Sequence, residues 1–128
     1  MRKPAVYVTE SEFEVLSDLA ESRATRGATL LGDELGRAII LKDGEFPRAF
    51  VRLRSVVAYT DMMTGRSRRV QIVPPEDADI DQKRLSVITP VGAALIGLAV
   101  GDSIGLNTDD GRTHVLRVDA VEYDHETA

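Results

Sequence analysis

The sequence predicts an α+β protein: a short antiparallel helical hairpin, then a mostly antiparallel sheet of about five strands with one packed helix. Apolar residues first recur at helical spacing. After Phe50 the apolar period changes to two. One Thr-Pro pair then marks a helix start between strands.

The first helix opens at Thr9. Thr9 and Glu12 make a T-x-x-E capping box, with Val8 and Phe13 placed for a hydrophobic staple. Phe13, Leu16, Leu19 and Ala20 repeat at helical spacing, and Gly27 ends the segment. The second helix carries Leu31, Leu35, Ala38 and Ile39, with Lys42 in its last turn. Gly44 follows as a C-cap and Pro47 prevents continuation. Each helix spans only about three turns, so the pair needs the body or a partner to be stable. The hairpin takes residues 1–46 and the body residues 47–128.

In the body, Val51, Leu53, Val57 and Tyr59 alternate on one strand face, with Arg52 and Arg54 on the other. "DMMTGR" is a turn and "SRRVQIV" the return strand, giving a hairpin with an Arg-rich face. Pro74-Pro75 stops it, and "EDADIDQKR" is an acidic exposed loop. "LSVI" is a short buried strand. Thr89 then caps a short helix with Pro90 at its first position and a Val91, Ala94, Leu95, Leu98 stripe. "DDGR" turns the last hairpin. In its final strand the inward set slips from Leu116 and Val118 to Val121 and Tyr123. That slip predicts a bulge near Asp119–Ala120.

Composition narrows the function. There is no cysteine, so disulfides, thiolate metal sites and a Cys nucleophile are excluded. With three Phe, three Tyr and no Trp, an aromatic-lined pocket or a base-stacking sheet is not expected. The longest apolar run, within "TPVGAALIGLAVGD", is shorter than the roughly 18–20 residues of a spanning helix. The amino terminus lacks the apolar run of a secretory signal. The expected location is cytoplasmic, with no membrane partner.

Net charge is −5, unevenly placed: residues 48–69 carry six Arg and one Asp. An acidic chain is a poor general binder of nucleic acid. The local cluster Arg52, Arg54, Arg68 and Arg69 (with Arg66 nearby) is the candidate basic contact face, for an acidic protein or an RNA phosphate.

No P-loop, dinucleotide fingerprint, H-E-x-x-H or G-x-S-x-G occurs. His114 and His125 are isolated and read as solvated surface residues. The acid pairs Asp33-Glu34 and Asp109-Asp110 read as solvation and turn formation. No catalytic residue, metal ligand or cofactor is expected, and the chain reads as a non-enzyme.

The stretch "LSVITPVGAALIGLAVGDSIGL" resembles the signature of the Gre-factor carboxyl-terminal domain. That signature is a strand, S/T-P-[IV]-[GA]-x-A-L-[IL]-G, then V-G-D and a strand. "RLRSVVAYTDMMTGRSRRVQIVPPEDAD" is similar to the family's first hairpin, so the likeness covers roughly residues 48–123. The P-V-G-A-A-L-I-G-L variant is most similar to the regulator of nucleoside diphosphate kinase branch.

The resemblance implies an FKBP-like antiparallel body with a shortened coiled coil before it. It also implies docking on RNA polymerase, through a coiled coil of its largest subunit at the secondary-channel rim, with nucleic acid met only indirectly. The gripping surface carries over as Thr89, Pro90, Val91, Gly92 and Ala93. Small apolar residues there let a partner backbone come close, and the helix amides are available to a partner carboxylate. Transcript-cleavage factors of the family hold a Mg²⁺ with acidic residues at the hairpin tip. Here the tip "SRATRGAT" offers Arg23 and Arg26 and no carboxylate, which implies no stimulation of cleavage. Two other readings stand beside this one. FKBP-like folds include prolyl isomerases, and the Arg face suits an RNA-binding module. The branch name also implies control of nucleoside diphosphate kinase levels through another protein.

Overall fold

The computed structural model describes residues 3–45, 48–108 and 110–123. Strand β1 (Tyr7–Thr9) runs directly into helix α1 (Glu10–Glu21). Thr9 is extended and its Oγ1 accepts the Glu12 amide at 3.4 Å. Only this half of the capping box forms. The Glu12 carboxylate instead accepts Leu53 N and Arg52 Nε, each at 3.2 Å, tying the helix to the body.

Helix α2 (Arg26–Leu35) starts at Thr25, whose Oγ1 accepts Ala28 N at 3.2 Å. Gly27 therefore lies inside the second helix and does not terminate the first. Its lack of a side chain serves packing: a Cβ there would stand 1.7 Å from the Ile88 carbonyl oxygen.

Helix α2 also ends earlier than apolar spacing predicts. Ile39–Leu41 is strand β2, paired parallel with β1 in the register Tyr7↔Ile39 to Thr9↔Leu41. Pairing with a segment distant in sequence overrides the local helical pattern. Gly44, at φ +92°, turns the chain after this strand and caps no helix. Pro47 lies outside the described residues.

The main sheet has five strands in the order β5-β4-β3-β7-β6: β3 (Val56–Asp61), β4 (Ser67–Val73), β5 (Arg84–Ser86), β6 (Ser103–Asn107) and β7 (Thr113–Glu122). All pairs are antiparallel except β4–β5, which is parallel. Strand β3 begins later than the alternation from Val51 suggests. Arg52 to Ser55 form a turn, with Ser55 N donating to Arg52 O and Arg52 N to Ser55 Oγ. Arg54 sits there at φ +71°. The expected bulge does form. Ala58 pairs with Ala120 but Tyr59 with Val118, leaving Asp119 as the extra residue.

Helix α3 (Pro90–Leu95) follows β5 and packs against α2 and β6. Leu16, Leu31 and Leu35 of the hairpin share one buried cluster with Val57, Ile72, Leu95, Leu116 and Val118 of the body. The hairpin lies down on the body rather than projecting from it.

Candidate functional site

The start of α3 is tightly built. Thr89 Oγ1 accepts Gly92 N at 3.1 Å and donates to Ser86 O at 2.7 Å. Pro90 occupies the first helical position. Thr89, Pro90 and Val91 reach the surface, but Gly92 and Ala93 are buried. A Cβ on Gly92 would stand 2.3 Å from Ser86 O. The small residues therefore make room for the chain's own backbone, not a partner's. The amides of Gly92 and Ala93 already donate to Thr89. Of the five residues expected to grip, three are accessible.

The hairpin tip lies beside this helix start. Arg23 and Arg26 are both exposed, and Gly27, next to Arg26, rests on the Ile88–Thr89 backbone. Two groups far apart in sequence thus meet on one side of the molecule. Glu21, the last residue of α1, adds one exposed carboxylate next to the tip. Glu34 is not the solvated acid expected: it is 4% exposed and paired with Arg37 and Lys3.

The four arginines of the expected basic face do not share one. Arg52 and Arg54 lie in the turn ahead of β3, paired with Glu12 and Asp77 respectively. Arg69 pairs with Glu122. Arg68 and Arg69 are neighbours in a strand, so they point to opposite faces. Arg68 stands directly across from Tyr59.

That Tyr59–Arg68 pair marks the open end of the sheet face that α3 covers. Deeper along the same face lie Val57, Ile72 and Val118, all fully buried. Toward the strand ends the face widens into two adjoining concavities. One, of about 410 Å³, is bounded by β4, β5 and the Ile80–Lys83 turn. The other, of about 320 Å³, is bounded by β3, β6 and β7. Tyr59, Arg68 and Val91 line both.

Asp61 and His114 sit in the second concavity, Oδ2 to Nδ1 at 2.7 Å. His114 is therefore a half-buried, oriented residue rather than a solvated one. Burial pushes the Asp61 carboxyl up, but hydrogen bonds from His114 and the Met63 amide outweigh it and hold the group below its usual range. Nothing local in the sequence signals this pair; only the fold joins positions 53 residues apart. Phe50 and Tyr123 lie elsewhere, with the Tyr123 hydroxyl donating to Phe50 O at 3.0 Å. His125 and Asp109 lie outside the described residues.

Residues 47–123 match the family model "Transcription elongation factor, GreA/GreB, C-term". The chain is 34% identical to the "Regulator of nucleoside diphosphate kinase" of Escherichia coli K12, covering 100% of this chain and 96% of the relative. It is 38% identical to the "Transcription inhibitor protein Gfh1" of Thermus thermophilus, over 64% of this chain and 53% of that protein. Among solved structures it is similar to a GreA/GreB elongation factor from Nitrosomonas europaea. There the TM-score is 0.74 at 30% identity, covering 94% of this chain and 100% of that one. Matched through most of its body and along its whole length, the chain belongs to the GreA/GreB carboxyl-terminal family, in the regulator of nucleoside diphosphate kinase branch.

Proposed function

We propose that the chain is a non-enzymatic transcription regulator that docks on RNA polymerase near its secondary channel without stimulating transcript cleavage. The docking residues are Thr89, Pro90 and Val91, flanked by the tip residues Arg23 and Arg26. The observation that carries this reading is the rest of Gly27 on the Ile88–Thr89 backbone, which brings tip and helix start together. The same contact supports the absence of cleavage stimulation. The helices have 12 and 10 residues, about 18 and 15 Å at 1.5 Å per residue, and they lie against the body. Such a hairpin has no reach toward a distant active site.

The test is retention of the chain on immobilised core RNA polymerase, with a Gre factor as competitor. The expected result is retention that the competitor displaces and that Pro90→Asp abolishes. Failure of the wild-type chain to be retained overturns the reading. A parallel assay on backtracked complexes is expected to show no added cleavage product.

A second reading follows the E. coli relative's name: control of nucleoside diphosphate kinase levels through a protein partner. Measuring that kinase's abundance with and without the chain, alongside polymerase binding, separates the two.

A further inference from the structure

The groove under Val91 contains a polar group that the fold leaves unused. Tyr59 is 7% exposed, and among the described residues its hydroxyl has no hydrogen-bond partner. It faces the place where the two concavities meet. The residue is otherwise packed in the core, and its hydroxyl opens on the groove, where it can donate to a visitor in place of water.

The cations around it are also unused. Most described arginines sit in ion pairs with the chain's own acids. Arg68, Lys83 and Arg84 have no carboxylate partner among the described residues, and all three line the larger concavity. In a chain of net charge −5, unpaired cations gathered around an apolar floor favour an anionic visitor.

We propose that Tyr59 and Arg68 form a carboxylate-recognising pair in this groove, and that the groove receives an acidic segment of a protein partner with apolar residues beside the acid. This rests on the docking reading above and names the chemistry of what docks. The Tyr hydroxyl and the guanidinium fork are both donors, the set a carboxylate accepts. Val70, Leu85 and Val91 supply an apolar floor, and Ile80, 85% exposed, stands at its rim. A nucleic acid fits less well, because the ring of Tyr59 is packed into the core and offers no face for a base to stack on.

Two measurements test it. Affinity for core RNA polymerase is compared for wild type, Tyr59→Phe and Arg68→Ala. Tyr59→Phe is expected to weaken binding about tenfold, the worth of one hydrogen bond to a charged group, with no loss of unfolding midpoint. Arg68→Ala is expected to weaken it at least as much. Wild-type binding that both variants retain overturns the proposal while leaving polymerase docking intact.

The second measurement is an NMR titration with a capped hexapeptide of alternating glutamate and leucine, which does not depend on polymerase. Shifts at the Tyr59 and Arg68 amides that Tyr59→Phe abolishes support the site even if polymerase is not bound. No shifts, or displacement of the peptide by single-stranded RNA, overturn it.

Discussion

Gly27 and Ile88 meet with no room for a side chain: a Cβ on Gly27 would stand 1.7 Å from the Ile88 carbonyl oxygen. The obstacle is backbone, which cannot rotate aside. Gly27→Ala is expected to destabilise the protein by about 2–3 kcal/mol despite the better helix propensity of alanine. Gly32 is the matched control. It lies in the same helix, and its nearest contact is a side-chain atom at 3.8 Å. Gly32→Ala is expected to stabilise by about 0.5–1 kcal/mol. Urea unfolding of the two variants checks both signs.

Glu12 should titrate above its usual 4.5, because burial disfavours its charged form more than Leu53 N and Arg52 favour it. A raised carboxyl pKa means that the folded state holds the proton more tightly than the unfolded chain. The associated stability is present below about 4.5 and is lost as pH rises through the folded value. The stability of wild type relative to Glu12→Gln should therefore fall between pH 4 and pH 7, measured by urea unfolding at each pH.

Asp119, the extra residue of the β7 bulge, should titrate below 3.8. The Thr60 hydroxyl holds it down most strongly, followed by Arg117. Here the sign is reversed: the stability is present above 3.8 and is lost as pH falls through the lowered value. Thr60→Val should return the Asp119 midpoint toward 3.8 in a carboxyl NMR titration. An unmoved midpoint would mean that the hydroxyl does not set it.

Thr89→Val removes the cap of α3 and the bond to Ser86 O while keeping the side chain's shape. The expected loss is about 1–2 kcal/mol in unfolding free energy. Pro90→Asp should leave the midpoint closer to wild type while abolishing retention on polymerase, since Pro90 makes no such bond to the body.

Local chemistry was legible where one residue type serves one geometry. Thr89-Pro90 opens α3, and the slip from Val118 to Val121 marks a true bulge. What misled was local signal overruled from afar. Ala38 and Ile39 continue a helical stripe, yet β1 captures Ile39 into a strand. Gly27 resembles a terminator, but its missing side chain answers to Ile88. Arg52 and Arg54 alternate like strand residues, while Ser55 folds them into a turn. For the groove, Val91, Arg68 and the strand face of Tyr59 were each legible, but their meeting was not. Tyr59 draws its meaning from Arg68 across the hairpin and from α3 above, and neither shows in the spacing of the chain.

The position of β7 sets an order on synthesis. This strand, residues 113–122, lies between β3 and β6 and bonds to both. While the chain is being made, β3 can find β4, but its other edge stays open until β7 emerges. The body thus waits, unfinished, for nearly its last described residues. Shortening the chain within β7 would remove an inner strand rather than trim an edge, and such products should be cleared by proteases rather than accumulate.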